Sequence, residues 1–378
     1  VLKREISNVI KTFSAKGGAG MVMDIETGEI LAATSLPDYD PHNYQSASDN
    51  QIFNRLTLGA YELGSTFKIF STAALLEKTN SNMAEKFDVR KPIKIGRFSI
   101  RDYHPEKRIM TLPEVFIHSS NIGSAMMGQE VGTKDLQNFY KDIGLFAAPE
   151  FEIQEMGKPI IPSPWRDVNT LTAAYGHGIA VSPLQLVRAT ASIMNGGVLV
   201  NPTLIKQATL PKTALKTSSK RPEVRVVSPQ TSHRMRQLMR LVVTEGTGSK
   251  ADVEGYLVGG KTGTAEKPGV GGYDRKKLIS SFMGVFPMDA PRYAVFVMVD
   301  EPHGTKESYG YATGGWVGAP AVGRVVAGMA SVLGLPPNKT QDRFEGSLIK
   351  LIKTKKQILE EINKNTSEFV KQLERKIK

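Results

Sequence analysis

Three stretches of this chain carry residues that could do chemistry together: "STFK" at 65 to 68, "SSN" at 119 to 121 and "KTG" at 261 to 263. A serine alcohol is a poor nucleophile until a neighbour takes its proton. A lysine that is desolvated or crowded by another cation has a pKa low enough to take it. In "STFK" the lysine follows the serine by three positions, so on a helix Lys68 lies on the same face as Ser65. Ser119 offers a hydroxyl for proton relay, and Asn121 an amide for a substrate carbonyl. Lys261 has two readings. "GYLVGGKT" at 255 to 262 also fits the phosphate-cradling pattern of a P-loop, and "VFVMVDE" at 295 to 301 resembles the acidic strand that holds Mg²⁺ in nucleotide enzymes.

The elements around each motif decide between these readings. A P-loop turns out of a strand into a helix whose N-terminus meets the phosphates. Lys261 is followed by "TGTAEKPGVGGY", and no helix survives that glycine and proline content. "SSFMGVFPM" (280 to 288) and "RYAVFVMVD" (292 to 300) are joined only by "DAP", which predicts an antiparallel hairpin where a nucleotide sheet would be parallel. The phosphate match is an accident of composition. In "YELGSTFKIFSTAALLEK" the pattern predicts Gly64 as an N-cap with Ser65 in the first helical turn, where backbone N–H groups are unpaired. "TLPEVFIHSS" opens with Thr111, Pro113 and Glu114 as a capping box. Ser119 and Asn121 therefore lie just beyond that helix, where a helix C-terminal cap is the competing role. Two further matches are decoys. "SLIK" (347 to 350) sits in a charged tail, and "SDN" (48 to 50) in a polar loop ahead of the nucleophile.

Strand patterns flank "ETGE" in "GMVMDIETGEILAATS" (20 to 35) and recur at 256 to 265, 280 to 288 and 292 to 300. Between them, from about 65 to 200, the pattern is helical, with "SPLQLVRATASIMNGG" running from a Ser182 cap to a glycine stop at Gly196. Residues 201 to 228 read as a long connection. This is an α+β arrangement: an antiparallel sheet of about five strands flanked by helices, with an inserted all-helical subdomain. The chain has 378 residues, 40% hydrophobic and 23% charged, which is ordinary globular composition. Cysteine is absent and the six histidines are scattered, so neither a disulfide nor a metal site is expected, and no motif implies a cofactor. The net charge of +12 comes from dispersed Lys and Arg without a nucleic-acid motif, so nucleic acid is not an expected partner. No run approaches the ~18 apolar residues that span a bilayer.

In their order along the chain, "STFK", "SSN" and "KTG" resemble the three active-site motifs of the penicillin-binding protein and serine β-lactamase superfamily. Longer stretches, among them "YELGSTFK", "YGHGIAVSPLQLVRATASIMNGG" and "GGKTGTAEKPGVGGYDRKKLISSFMGVFPMDAPRYAVFVMVDEP", look like a class B member, and most like a division-specific septal peptidoglycan D,D-transpeptidase. The resemblance covers residues 1 to about 335, which implies a catalytic domain over 1–340, with strands from 18–36 and 255–302 and helices over about 60–200.

It also implies roles. Ser65 would be acylated, with Lys68 as its base. Ser119 would relay the proton, held by Lys261, and Asn121 would orient the peptide carbonyl. Thr262 and Thr264 would bind the terminal carboxylate of the stem peptide, Gly263 would let the substrate backbone approach the edge strand, and the N–H groups of Ser65 and Thr264 would form the oxyanion hole. The family more often has Pro at Leu63. The implied partners are peptidoglycan stem peptides, β-lactams and division proteins including a lipid-linked glycan polymerase. The implied place is the periplasmic face of the inner membrane at the septum, reached through an N-terminal anchor and pedestal that would precede this domain. A β-lactam-sensing or β-lactam-hydrolysing domain is the alternative. Against hydrolysis, no Glu between Asn121 and Lys261 has Asn four residues on. His118 and His177 read as structural, and Trp316 as either a groove wall or a packing residue. In the tail, 341 to 378, Leu348, Ile352, Leu359, Ile362, Phe369 and Leu373 predict a basic amphipathic helix, its stripe docked on the domain in preference to a partner or a membrane surface.

Overall fold

A computed structural model describes residues 1–96, 98–206, 224–269, 272–338, 344–353 and 357. Helix α1 (Leu2–Thr12) buries Leu2, Ile6 and Val9, a stripe at three- and four-residue spacing. Strands β1 (Gly17–Asp24) and β2 (Ile30–Leu36) form the hairpin expected around "ETGE". Helix α2 (Lys68–Lys78) is followed by short strands β3 (Lys86–Asp88), β4 (Ile93–Ile95), β5 (Phe98–Ile100) and β6 (Ile109–Thr111). Then come helices α3 (Leu112–Ile117), α4 (Asn121–Val131), α5 (Thr133–Asp142), α6 (Asp167–Ala173), α7 (Pro183–Met194) and α8 (Pro229–Thr244). Strands β7 (Gly259–Gly269), β8 (Gly272–Phe286) and β9 (Tyr293–Asp300) and helix α9 (Gly318–Val332) complete the main body.

The first hairpin and the last three strands join in one antiparallel sheet of order β2-β1-β9-β8-β7. Alternation along each strand sorts its side chains between two cores. Val22, Val295, Val297, Phe282 and Phe286 pack with α1 and α9, whereas Met21, Met23, Met283, Phe296 and Met298 pack with the helical region. The α+β class and five-stranded sheet are as the sequence predicts. The helical region differs in one respect, because it also holds two small antiparallel pairs, β3 with β6 and β4 with β5. Their three-residue strands are too short to give a periodic signal.

Beyond Lys261 the chain continues as strand β7 to Gly269 and pairs with β8, so no helix meets a phosphate there. The predicted tail helix is not what residues 346–351 form. They make a short 3-10 helix, Gly346–Leu351, with Leu348 buried. Leu359, Ile362, Phe369 and Leu373 lie outside the described residues. Among the described residues, no helix is long and apolar enough to cross a membrane.

Candidate active site

Ser65 lies in a 3-10 turn, Gly64–Phe67, that leads into α2 at Lys68. Gly64 is thus not the N-cap of an α-helix. It opens the turn at φ +52°, a left-handed conformation that favours glycine, and a Cβ there would sit 2.6 Å from the Thr264 carbonyl oxygen. The turn is pressed against edge strand β7 and anchored from below by Phe67, whose ring meets Phe70 and Tyr140 edge-on at 5.4 and 6.0 Å. Ser65 is half-buried, and among the described residues its hydroxyl has no hydrogen-bond partner.

Lys68 is fully buried, and its Nζ donates to the Ser119 carbonyl at 2.5 Å, to Ser119 Oγ at 3.1 Å and to Asn121 Oδ1 at 2.8 Å. Lys261, equally buried, reaches the same Ser119 Oγ at 2.9 Å from the opposite side of the site, and the carbonyl and Oγ1 of Thr262 at 3.4 Å. Ser119 adopts φ +61°, in the sharp link between α3 and α4. Two lysine amino groups thus converge on one hydroxyl. Burial, then the Lys261 charge, hold Lys68 well below the usual lysine range, against a smaller opposing pull from Asp102. Burial brings Lys261 down to about 7. A lysine kept near neutrality in this way can take a proton at physiological pH.

Thr262 and Thr264 alternate with Gly263 along β7, so their side chains share one face of the strand. Thr262 Oγ1 lies 2.8 Å from Thr247 Oγ1, and Thr264 Oγ1 accepts from Gly314 N at 2.9 Å. Gly64 meets the Thr264 carbonyl, so that peptide group faces the Ser65 turn and not β8. The N–H and C=O of one strand residue point the same way, which aims the Thr264 N–H toward Ser65. Gly263 is also required by the fold itself. A Cβ there would collide with Ser281 Oγ and approach Leu63 O at 2.7 Å, so the glycine lets β7 seat on the nucleophile turn.

The sequence reading missed Thr247, in the turn after α8, and Asp102, in the loop after β5. The Asp102 carboxylate accepts from Ser120 Oγ and from the Asn121 and Ile122 amides. Neither residue is near a motif in sequence. His118 Nδ1 lies 3.6 Å from Glu106, and burial lowers its pKa. His177 lies 3.4 Å from Glu62 and between the rings of Tyr175 and Tyr273. Trp316 stacks on Tyr311, and Lys250 Nζ lies 4.1 Å from its ring centre.

Residues 18–323 match the penicillin binding protein transpeptidase domain. The chain belongs to the penicillin-binding protein transpeptidase family. It is 41% identical over 344 residues to the "Probable peptidoglycan D,D-transpeptidase FtsI" of Caulobacter vibrioides, covering 88% of this chain and 57% of that protein. It is 36% identical to "Stage V sporulation protein D" of Bacillus subtilis, covering 90% of this chain and 53% of that one. The chain therefore spans about half the length of the curated relatives it matches. Among solved structures, the transpeptidase domain of Burkholderia pseudomallei penicillin-binding protein 3 superposes with a TM-score of 0.75 at 31% identity, over 89% of this chain and 94% of that one. Penicillin binding protein 3 of Mycobacterium tuberculosis, complexed with ampicillin, superposes with a TM-score of 0.80 at 26% identity, over 90% and 77% of the two chains.

Proposed function

We propose that this chain is the catalytic domain, residues 1–340, of a peptidoglycan D,D-transpeptidase that cross-links the septal wall through a Ser65 acyl-enzyme. The observation that carries the reading is the convergence of Lys68 and Lys261 on Ser119 Oγ, with the half-buried Ser65 in the turn that leads into Lys68. Lys68, kept neutral by its burial and the Lys261 charge, takes the Ser65 proton on its lone pair as Oγ attacks the carbonyl between two D-alanines. The oxyanion forms against the Ser65 and Thr264 N–H groups. Ser119 passes the proton to the departing D-Ala amine as the C–N bond breaks. Lys261 and the hydroxyls of Thr262 and Thr264 hold the terminal carboxylate, and Asn121 orients the substrate amide. An amine of a neighbouring strand then attacks the ester, forming the cross-link and returning a proton to Ser65.

A β-lactam would acylate Ser65 in the same way and remain, since no expected glutamate activates water. We place the protein at the periplasmic face of the bacterial inner membrane, working with division proteins and a lipid-linked glycan polymerase. The relative names support the chemistry, and the division role follows from the FtsI likeness.

Intact-protein mass after incubation with benzylpenicillin tests this directly. One stable drug mass is expected on the wild type and none on Ser65→Ala. An unmodified wild type that is folded would refute the assignment. Loss of the adduct within seconds would favour a hydrolase over a transpeptidase.

A further inference from the structure

Resting on that reading, we propose that Asp102 is a positioning residue for acyl transfer: it fixes the Ser119–Asn121 turn against Lys68 and places a negative charge on the Lys68 side of the site. Asp102 lies in the loop after β5, yet its carboxylate receives Ser120 Oγ at 2.8 and 3.0 Å, Asn121 N at 2.6 Å and Ile122 N at 3.0 Å. These amides are two of the four that open a helix without intrahelical partners. Of the other two, the Ser120 amide donates to the Val115 carbonyl at 3.0 Å and the Gly123 amide to Ser120 Oγ at 3.0 Å. Every amide of the first turn of α4 is therefore satisfied, half of them by Asp102. A carboxylate is also the favoured charge at that end of a helix.

The neighbouring residue completes the hold. Asn121 Nδ2 donates to the Arg101 carbonyl at 3.0 Å, while Oδ1 accepts from Lys68 Nζ at 2.8 Å. The Arg101–Asp102 pair thus grips both the backbone and the side chain of Asn121, and leaves one amide N–H free for a substrate carbonyl. Ser119 precedes this clamp by one residue, and its left-handed φ is what turns its carbonyl and hydroxyl toward Lys68. Without the carboxylate, two partly buried amides at the head of α4 lose their acceptor, and the turn relaxes away from the lysine.

Charge is the second consequence. Among the described residues, the charged groups acting on Lys68 are Lys261 from β7 and Asp102, with neutral Ser119 and Asn121 completing its shell. Asp102 favours the ammonium form and Lys261 opposes it. The carboxylate therefore offsets part of the lowering that burial and Lys261 impose on Lys68.

The test compares wild type, Asp102→Asn, Asp102→Ala and Ser120→Ala. The second-order rate of benzylpenicillin acylation is measured across pH, alongside thermal unfolding. Asp102→Asn keeps an acceptor for the two amides but removes the charge. Its maximal rate is expected to fall by about tenfold, and the acid limb to move to lower pH, because a lysine without that support loses its proton more readily. Asp102→Ala is expected to lose about 10²-fold with the same direction of shift. Ser120→Ala removes the Gly123 cap bond and one donor to Asp102 but keeps the carboxylate and its two amide contacts, so it should lower the melting temperature and leave the acid limb in place. If Asp102→Asn folds and shows the wild-type rate and limb, the proposal is overturned. Should Asp102→Ala fail to fold, Asp102→Asn alone decides. A wild type that takes no penicillin overturns the Ser65 reading instead, whatever the variants do.

Discussion

A lysine without exposed surface normally needs a carboxylate beside it, and among the described residues Lys261 has none. Its pKa is brought from 10.5 to about 7. Folding therefore releases a proton that the unfolded chain keeps between those values, so stability rises with pH across that window. Lys261→Met, close in volume, removes the buried cation. It is expected to abolish acylation and to stabilise the protein by about 1–3 kcal/mol at pH 6. The gain should shrink toward pH 9, where the wild-type amine is already neutral. Urea midpoints at both pH values check this, and a midpoint below wild type at pH 6 would contradict it. The positions of Ser65, Lys68, Ser119, Asn121 and Lys261 were legible because each motif is local. Asp102 was not, since its hydrogen bonds span 18 to 20 residues and nothing in "RDYH" distinguishes a cap from a solvated loop carboxylate.

At the level of elements, the hairpins and capping boxes were readable because turn chemistry and binary patterning are short-range signals. The 3-10 turn at Gly64–Phe67 was not, since a glycine before a good helix former reads equally well as an N-cap. The difference matters for the site. Gly64 has both a left-handed φ and a carbonyl of β7 where its Cβ would be, whereas Gly96, in the turn between β4 and β5, has φ +56° and open space around it. Alanine at either position costs about 1–2 kcal/mol for the backbone conformation. Only Gly64→Ala should also push β7 from Ser65. It is expected to lose about 10²-fold in the benzylpenicillin acylation rate, a cost typical of a 1 Å misplacement. Gly96→Ala should acylate within about threefold of wild type. Equal rates for the two variants would show that the close approach has no bearing on the chemistry.

Across the whole molecule, the sheet was legible because strands at both chain ends leave an antiparallel solution as the natural one, with helices inserted between them. The sequence reading put the tail's apolar stripe on the domain, and what escaped it is the local conformation there. Its apolar spacing suits an amphipathic helix, yet residues 344–353 dock on the domain through a short 3-10 helix: Leu348 is buried, and Phe344, Leu351 and Ile352 pack against the larger core. Polar contacts fix the register. Thr111 Oγ1 donates to the Leu351 carbonyl at 2.9 Å, the Lys353 amide donates to Glu114 Oε1 at 2.9 Å, and Arg240 lies 3.6 Å from Glu345. Tertiary burial overrides local periodicity here, since four partly or fully buried apolar side chains outweigh the weak preference of a short segment for helix. A chain ending at residue 343 should therefore unfold about 2–4 kcal/mol more easily, from lost apolar burial alone. Its chemistry should suffer far less. Glu114 still receives the Thr111 amide and keeps Arg108 at 2.9 Å, so α3 stays capped and still delivers Ser119 to the lysines. An acylation rate within about threefold of wild type is expected, together with the lower urea midpoint. An unchanged midpoint would mean the docked segment adds nothing to stability. A large loss of rate would mean that the tail, through α3, helps to position Ser119.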